Sequence, residues 1–351
     1  MKKIFLLTVP LLIISILLSS CTSSTPPPTA APVGEEEPTA VASEALPPPA
    51  TAPDPTEAPT PASPEPTAQA PTPASPEPTP TAAIPDGPIV FEEATFQMLM
   101  EKTFNKTEFY PEDFANVTDL WIGADELVIL DGNYESYQFF FHPRLNRDFT
   151  FVIDGRTFEN AVGTIKSLAD LKYFTHLERL ELIHHINADL ETLPTLPQLN
   201  TLAVVIGKAN NFNFLEQLDG LQRLDLYLEM DPNTAPDMTP IQEIKQLSSL
   251  GLMFIPITDL KFLEGKTDLT ALAISDAPVE DFSEVASLTN LRFVFIEMTK
   301  LKDVSPFMGL ENLTSLVLGS NEIDAAGLTQ LQELQAAYAQ EGKELYIDLL
   351  D

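Results

Sequence analysis

Cysteine is almost absent: Cys21 stands alone among 351 residues, so no disulfide can form within the chain and any folded part rests on its own core. Basic residues are scarce as well. Nineteen Lys and Arg face 52 Asp and Glu, for a net charge of −33 at pH 7, and no basic patch breaks the acidity. Such a surface repels phosphate backbones and anionic lipid, which argues against nucleic acid as a partner. Histidine occurs four times, at 142, 176, 184 and 185, and only His184 and His185 are adjacent. No nucleophile motif, phosphate loop or Cys/His metal spacing is present, so the sequence offers no catalytic residues, no metal site and no cofactor, and an enzyme is not expected. Asp231-x-Asn233-x-x-x-Asp237 resembles a calcium loop but lacks the central Gly and the closing Glu, so it reads as a solvated turn.

Apolar runs are short too. The longest begins at Ile4, after Lys2 and Lys3, and ends at Leu18, too short for a span of about 20 residues. It fits the apolar core of a signal peptide. Leu18-Ser19-Ser20-Cys21 resembles a bacterial lipobox, which implies a signal peptide over 1–20 and a diacylated Cys21 as the mature N-terminus. Without the two lysines the charge becomes −35, so the acyl chains would supply the membrane attachment.

Residues 22–88 lack Lys, Arg and aromatics altogether, and hold 21 of the 32 prolines. The decapeptide APTPASPEPT occurs twice, at 58–67 and 70–79. This composition cannot bury enough apolar surface to offset ordering, and its proline favours extended polyproline II. The expectation for 21–88 is a lipidated Cys on a disordered Pro/Thr-rich stalk.

Beyond the stalk a repeat appears. Leu-x-x-Leu-x-Leu starts at Leu177, Leu199, Leu221, Leu247, Leu269, Leu291 and (as Leu-x-x-Leu-x-Leu again) Leu313, at steps of 22, 22, 26, 22, 22 and 22, with Val or Ile substituting at some later positions. The long step coincides with Met230–Thr239. Period-two alternation makes each unit a short half-buried strand, and apolar residues three apart return the chain on a helical or 3₁₀ segment. Stacked units then bury one continuous core beneath a parallel sheet. A helix over 325–340, with Leu328, Leu331, Leu334 and Tyr338 on one face, and a strand around Leu345, Ile347 and Leu349 form a terminal cap.

These units resemble the 22-residue leucine-rich repeats of internalin type, found in bacterial surface proteins. The resemblance covers residues 165–323. It implies an α/β solenoid, a right-handed superhelix with a parallel sheet on its concave face. Upstream, a helix over Phe91–Met100, apolar at Phe91, Ala94, Met98 and Leu99, and a strand within Phe114–Ile122 resemble the N-terminal cap of such proteins. The expected division is 89–160 for this helical cap and irregular first repeats, with extra strands between Asp125 and Asn160, and 161–351 for the repeat domain. The family's Asn, eight residues after the first Leu, survives only at Asn321. His185, Gly207, Glu229, Ile255, Ala277 and Thr299 replace it elsewhere, so those turns must satisfy their backbone differently.

The residues flanking the buried leucines face the concave side. One column reads Glu181, Ala203, Asp225, Gly251, Ala273, Phe295, Val317 and Tyr346, with Tyr227, Met253 and Phe293 in the columns beside it. Tyr227, Met253, Phe293, Phe295 and Tyr346 are the candidate ligand-binding residues, read as large side chains exposed on a rigid surface. The expected function is a lipid-anchored binding module on the outer face of a bacterial membrane, open to the extracellular or periplasmic side. Its partner would be a protein or glycan. The alternative is a structural or self-associating envelope lipoprotein with no dedicated ligand.

Overall fold

The computed structural model describes residues 87–123, 126–130, 138–140, 150–153, 156–159, 162–184 and 187–349. The expected signal peptide, Cys21, the Pro/Thr stalk, His142 and His185 lie outside the described residues.

Ten strands form one sheet. In chain order they are β1 (Asp119–Gly123), β2 (Glu126–Leu130), β6 (Arg179–Ile183), β7 (Thr201–Lys208), β8 (Arg223–Glu229), β9 (Ser249–Met253), β10 (Ala271–Ser275), β11 (Phe293–Glu297), β12 (Ser315–Val317) and β13 (Tyr346–Asp348). Nine run parallel, in sequence order from β1 through β6 to β13, and β2 turns back antiparallel on β1. The 22-residue period is the cause of the register: Leu180, Leu202, Leu224, Leu250, Leu272, Val294 and Leu316 stand side by side, one per strand. All of them are buried, as is the second row through Leu182, Leu252, Ile274 and Ile296. The expected extra strands between Asp125 and Asn160 are β2 and a separate antiparallel sheet of β3 (Gln138–Phe140), β4 (Thr150–Ile153) and β5 (Arg156–Glu159).

Two devices close the units, the first of them in six of the seven. After the strand, the backbone takes a left-handed turn at a fixed repeat position, with positive φ at His184, Ile206, Phe254, Asp276, Met298 and Ser320. No glycine occupies these sites, although the left-handed region costs other residues roughly 1–2 kcal/mol. Bonds to the next unit repay part of this, because the amides of Phe254, Asp276 and Met298 donate to the carbonyls of Ser275, Glu297 and Gly319 at 3.1 Å. Four or five residues further on, or after the insertion in the third unit, an Asx side chain caps the returning helical turn. Asp189, Asn211, Asp237, Asp259, Asp281, Asp303 and Asp324 each accept from the amide two residues ahead. That capping satisfies an N–H group the short helix cannot satisfy itself. Six aspartates of the solenoid are therefore structural.

The Asn expected eight residues after the first Leu acts once. Asn321 accepts from the Thr299 amide (3.0 Å) and hydroxyl (2.8 Å) and donates to the Ile296 carbonyl (2.9 Å). At the equivalent turns Ile255 and Ala277 are buried, so apolar contact replaces the polar ladder. The insertion of Met230–Thr239 is a set of Asx turns: Asp231 accepts from the amide of Asn233 and the hydroxyl of Thr234, and Asp237 leads into the short helix α2 (Thr239–Glu243). At the end of α2, buried Lys266 donates to the carbonyls of Gln242 (3.2 Å) and Ile244 (2.6 Å). Burial holds this ammonium below its usual range, at about 8.

Both ends are sealed by helices. At the front, the helix α1 spans Ala94–Phe104, starting later than Phe91 and ending at left-handed Asn105. Phe96, Leu99 and Met100 are its buried face, while Met98, expected inside, is 51% exposed. The shift follows from capping: Glu93 accepts from Thr95, and buried Asp170 of the solenoid accepts from the amides of Glu92 and Glu93. Phe91, Phe96, Phe109, Phe114, Tyr173 and Phe174 pack edge-on or stacked behind it. At the back, α3 spans Ala325–Gln340 as expected, with Leu331, Leu334 and Tyr338 buried and Leu328 partly exposed. The Tyr338 hydroxyl donates to the Leu310 carbonyl and accepts from the Leu313 amide.

Candidate functional site

The parallel register carries three rows of side chains across the sheet face opposite the core. One row runs from Asp119 and Arg179 through Thr201, Arg223, Ser249 and Ala271 to Phe293, Ser315 and Tyr346. The next runs from Trp121 and Glu181 through Asp225, Gly251 and Ala273 to Phe295, Val317 and Asp348. A third holds Ile183, Val205, Tyr227, Met253, Ser275 and Glu297. The expected column placed Tyr346 beside Val317. The register instead sets Tyr346 beside Ser315 and Asp348 beside Val317, because the last strand follows a helix and lies outside the 22-residue count.

The five candidates do not form one exposed patch. Tyr346 is 49% exposed, and Tyr227 and Phe293 are half-buried. Met253 (3% exposed) and Phe295 (2%) are buried, which corrects the expectation that they stand open. Closely stacked strands about 4.8 Å apart leave a central-row side chain little free surface. Ser275 and Glu297, also on this face, are buried with them, and the Ser275 hydroxyl has no hydrogen-bond partner among the described residues. Phe293 keeps one flank beside the Arg292 guanidinium, 5.9 Å from its ring centre.

The N-terminal half of the face has a different character. Arg179 Nε lies 3.3 Å from Asp119 and its Nη1 3.7 Å from Glu181, while Arg223 Nε donates to Asp225 at 2.6 Å. Burial pushes the Glu181 carboxyl up, and the two arginines pull it back. Asp225 holds the Arg223 guanidinium on the charged side, against burial, which opposes it. Burial, reinforced by Asp225, also raises the Tyr227 hydroxyl far above its ordinary value. Gly251 is required here, because a Cβ would come within 2.5 Å of the Asp225 carboxylate leaning over it. On β1 the Trp121 indole lies across Gly123, where a Cβ would meet the ring at 1.9 Å.

Reasoning from single exposed aromatics passed over this charged network. Its signal was in the sequence: Arg179-Leu180-Glu181-Leu182 and Arg223-Leu224-Asp225-Leu226 repeat one pattern, placing opposite charges two apart on the same strand face. Chemically the network is a set of paired donors and acceptors, suited to recognition of polar groups. Among the described residues no group of three His, Cys, Asp or Glu side chains is arranged to hold a metal ion. His184 is buried in its turn and His176 is exposed, so the two do not cluster. A hollow of about 670 Å³ at the N-terminal ends of β10–β12 is lined by Thr270, Asn290, Arg292, Asn312 and Thr314, and by none of the five candidate residues. Its Asn and Thr side chains tie one unit to the next, Asn290 donating to Thr267, Asn312 to Thr289 and Thr314 to Arg292.

No family model matches the sequence, and no curated protein matches it. Solved structures do. Internalin C2 from Listeria monocytogenes is similar at 21% identity and a TM-score of 0.50, over 71% of this chain and 96% of that one. A leucine-rich-repeat protein of Leptospira interrogans is similar at 19% identity and a TM-score of 0.39, over 52% of each chain. The nine-stranded parallel register, the turn at each 22-residue unit and the likeness to internalin C2 together make this chain a leucine-rich-repeat solenoid.

Proposed function

We propose that the chain is a binding module that captures a protein or glycan on the sheet face, carried on a Pro/Thr-rich stalk and anchored through lipidated Cys21 to the outer face of a bacterial membrane. The observation that carries this reading is the sheet face itself. It sets half-buried aromatic side chains, Tyr227 and Phe293, on parallel strands whose buried rows hold them rigid, next to a patch of paired charges. Rigid aromatics beside ordered donors and acceptors lose little conformational entropy on binding, and dominate interfaces for that reason. The lipobox-like Leu18-Ser19-Ser20-Cys21 and the proline-dense 22–88 support the anchor and the stalk.

Capture of cell-surface and secreted proteins and glycans by the full chain tests the face. The double variant Tyr227→Ala plus Phe293→Ala is expected to weaken capture by roughly tenfold or more while the fold persists. Unchanged capture removes this face as the binding surface. For the anchor, Cys21→Ser is expected to block lipidation and leave unprocessed precursor or released protein. A variant that still fractionates with membranes as mature-length, detergent-extractable protein refutes the anchor.

A further inference from the structure

Among the described residues no strand pairs with the outer edge of β13, and that edge is self-complementary. We infer that two copies of this chain pair through β13, antiparallel and about a two-fold axis at Ile347, joining their sheets edge to edge. The backbone of β13 alternates: the Tyr346 amide donates to Thr314 and the Asp348 carbonyl accepts from Leu318, so residues 346 and 348 serve β12. The amide and carbonyl of Ile347 therefore point away from the sheet, as strand alternation requires. An outward row of this kind templates another strand.

The side chains name the occupant. Residues 345–349 read Leu-Tyr-Ile-Asp-Leu, a palindrome in chemical character. With antiparallel pairing centred on Ile347, Leu345 meets Leu349 of the partner subunit and Ile347 meets the partner's Ile347. On the other face Tyr346 meets the partner's Asp348. Within one copy the Tyr346 hydroxyl already donates to Asp348 at 2.7 Å, so the same donor and acceptor are matched across the two-fold axis, twice. Leu345, Ile347 and Leu349 lie on the core side of the strand, where Leu345 is buried and the other two are only half-buried. Pairing completes that cover with its own kind, as an isologous interface demands. Behind the edge, α3 adds little to the repulsion between two acidic chains, with Glu333 its one charged residue in 16.

The mass of the full chain in nonionic detergent, measured by light scattering with the detergent subtracted, reads the association. The parent is expected to reach twice the chain mass, with Ile347→Pro raising the dimer dissociation constant at least tenfold. Proline removes only the outward N–H, because residues 346 and 348 make the bonds to β12. If the proline variant loses its cooperative melt, Tyr346→Asp replaces it, setting like charges opposite each other. Mild oxidation of Ile347→Cys should trap a dimer, whereas Ser315→Cys, one strand further in, should not. A parent of single-chain mass with no trapping at residue 347, or a dimer that survives both edge variants, overturns the proposal.

Discussion

Two phenylalanines on β11, two residues apart on the same face, are expected to differ sharply in what they contribute to stability. Phe295 is 2% exposed, between Ala273 and Val317 in the central row, and Phe293 is half-buried at the start of the strand. Phe295→Ala leaves a gap that Ala273 is too small to fill and that Val317, stiff at χ1, cannot turn into. The loss falls at the low end of the range for buried Phe→Ala, about 3 kcal/mol, because the site lies on a sheet face rather than between layers. For a folded unit of this size that lowers the melting temperature by about 6–12 °C. Phe293→Ala is expected to cost about 1 kcal/mol. Urea unfolding followed by fluorescence suits the measurement, because the single tryptophan, Trp121, is buried on β1 and reports exposure of the solenoid's front end. An unchanged denaturant slope would show that the variants alter stability and not compactness. A loss below about 1 kcal/mol for Phe295→Ala refutes its burial. A loss at Phe293 as large as that at Phe295 would place both in the core, with the strand register off by one.

Three further outcomes follow from the same geometry. Asp170→Ala strips the acceptor from the amides of Glu92 and Glu93, and is expected to cost about 2–4 kcal/mol and speed hydrogen exchange at both amides; unchanged exchange would show that the clamp does not hold α1. Lys266 has a folded pKa of about 8 against about 10.4 unfolded, so below pH 8 both states are charged and the burial cost is present in full. Between those values the folded state sheds its proton first, and stability should rise with pH by up to about 3 kcal/mol, a slope that Lys266→Met abolishes; parallel pH profiles of the two proteins would count against it. Asn321→Ala removes three hydrogen bonds and is expected to lose about 2 kcal/mol, compared with under about 0.5 kcal/mol for the exposed turn residue Asn233→Ala, in thermal unfolding.

The sequence by itself determined the solenoid. A 22-residue period forces each Leu-x-Leu onto the neighbour of the last, so the buried rows through Leu272 and Ile274, the register of the repeat strands up to β12 and the existence of the α3–β13 cap were legible before any coordinates, though not the register of β13. Its caps were legible too, in the Asx residue that recurs from Asp189 to Asp324, though only the repeat alignment makes the recurrence visible. Exposure on the sheet face was not legible. Period two assigns Phe293 and Phe295 to one face, but whether a side chain there is open depends on its neighbours in adjacent strands, 22 residues away in either direction. The start of α1 was misjudged for the same reason: the acceptor that holds its first amides is Asp170, 77 residues downstream. The tertiary structure alone decided these matters, because burial and hydrogen-bond satisfaction belong to the assembled surface, whereas periodicity belongs to the chain.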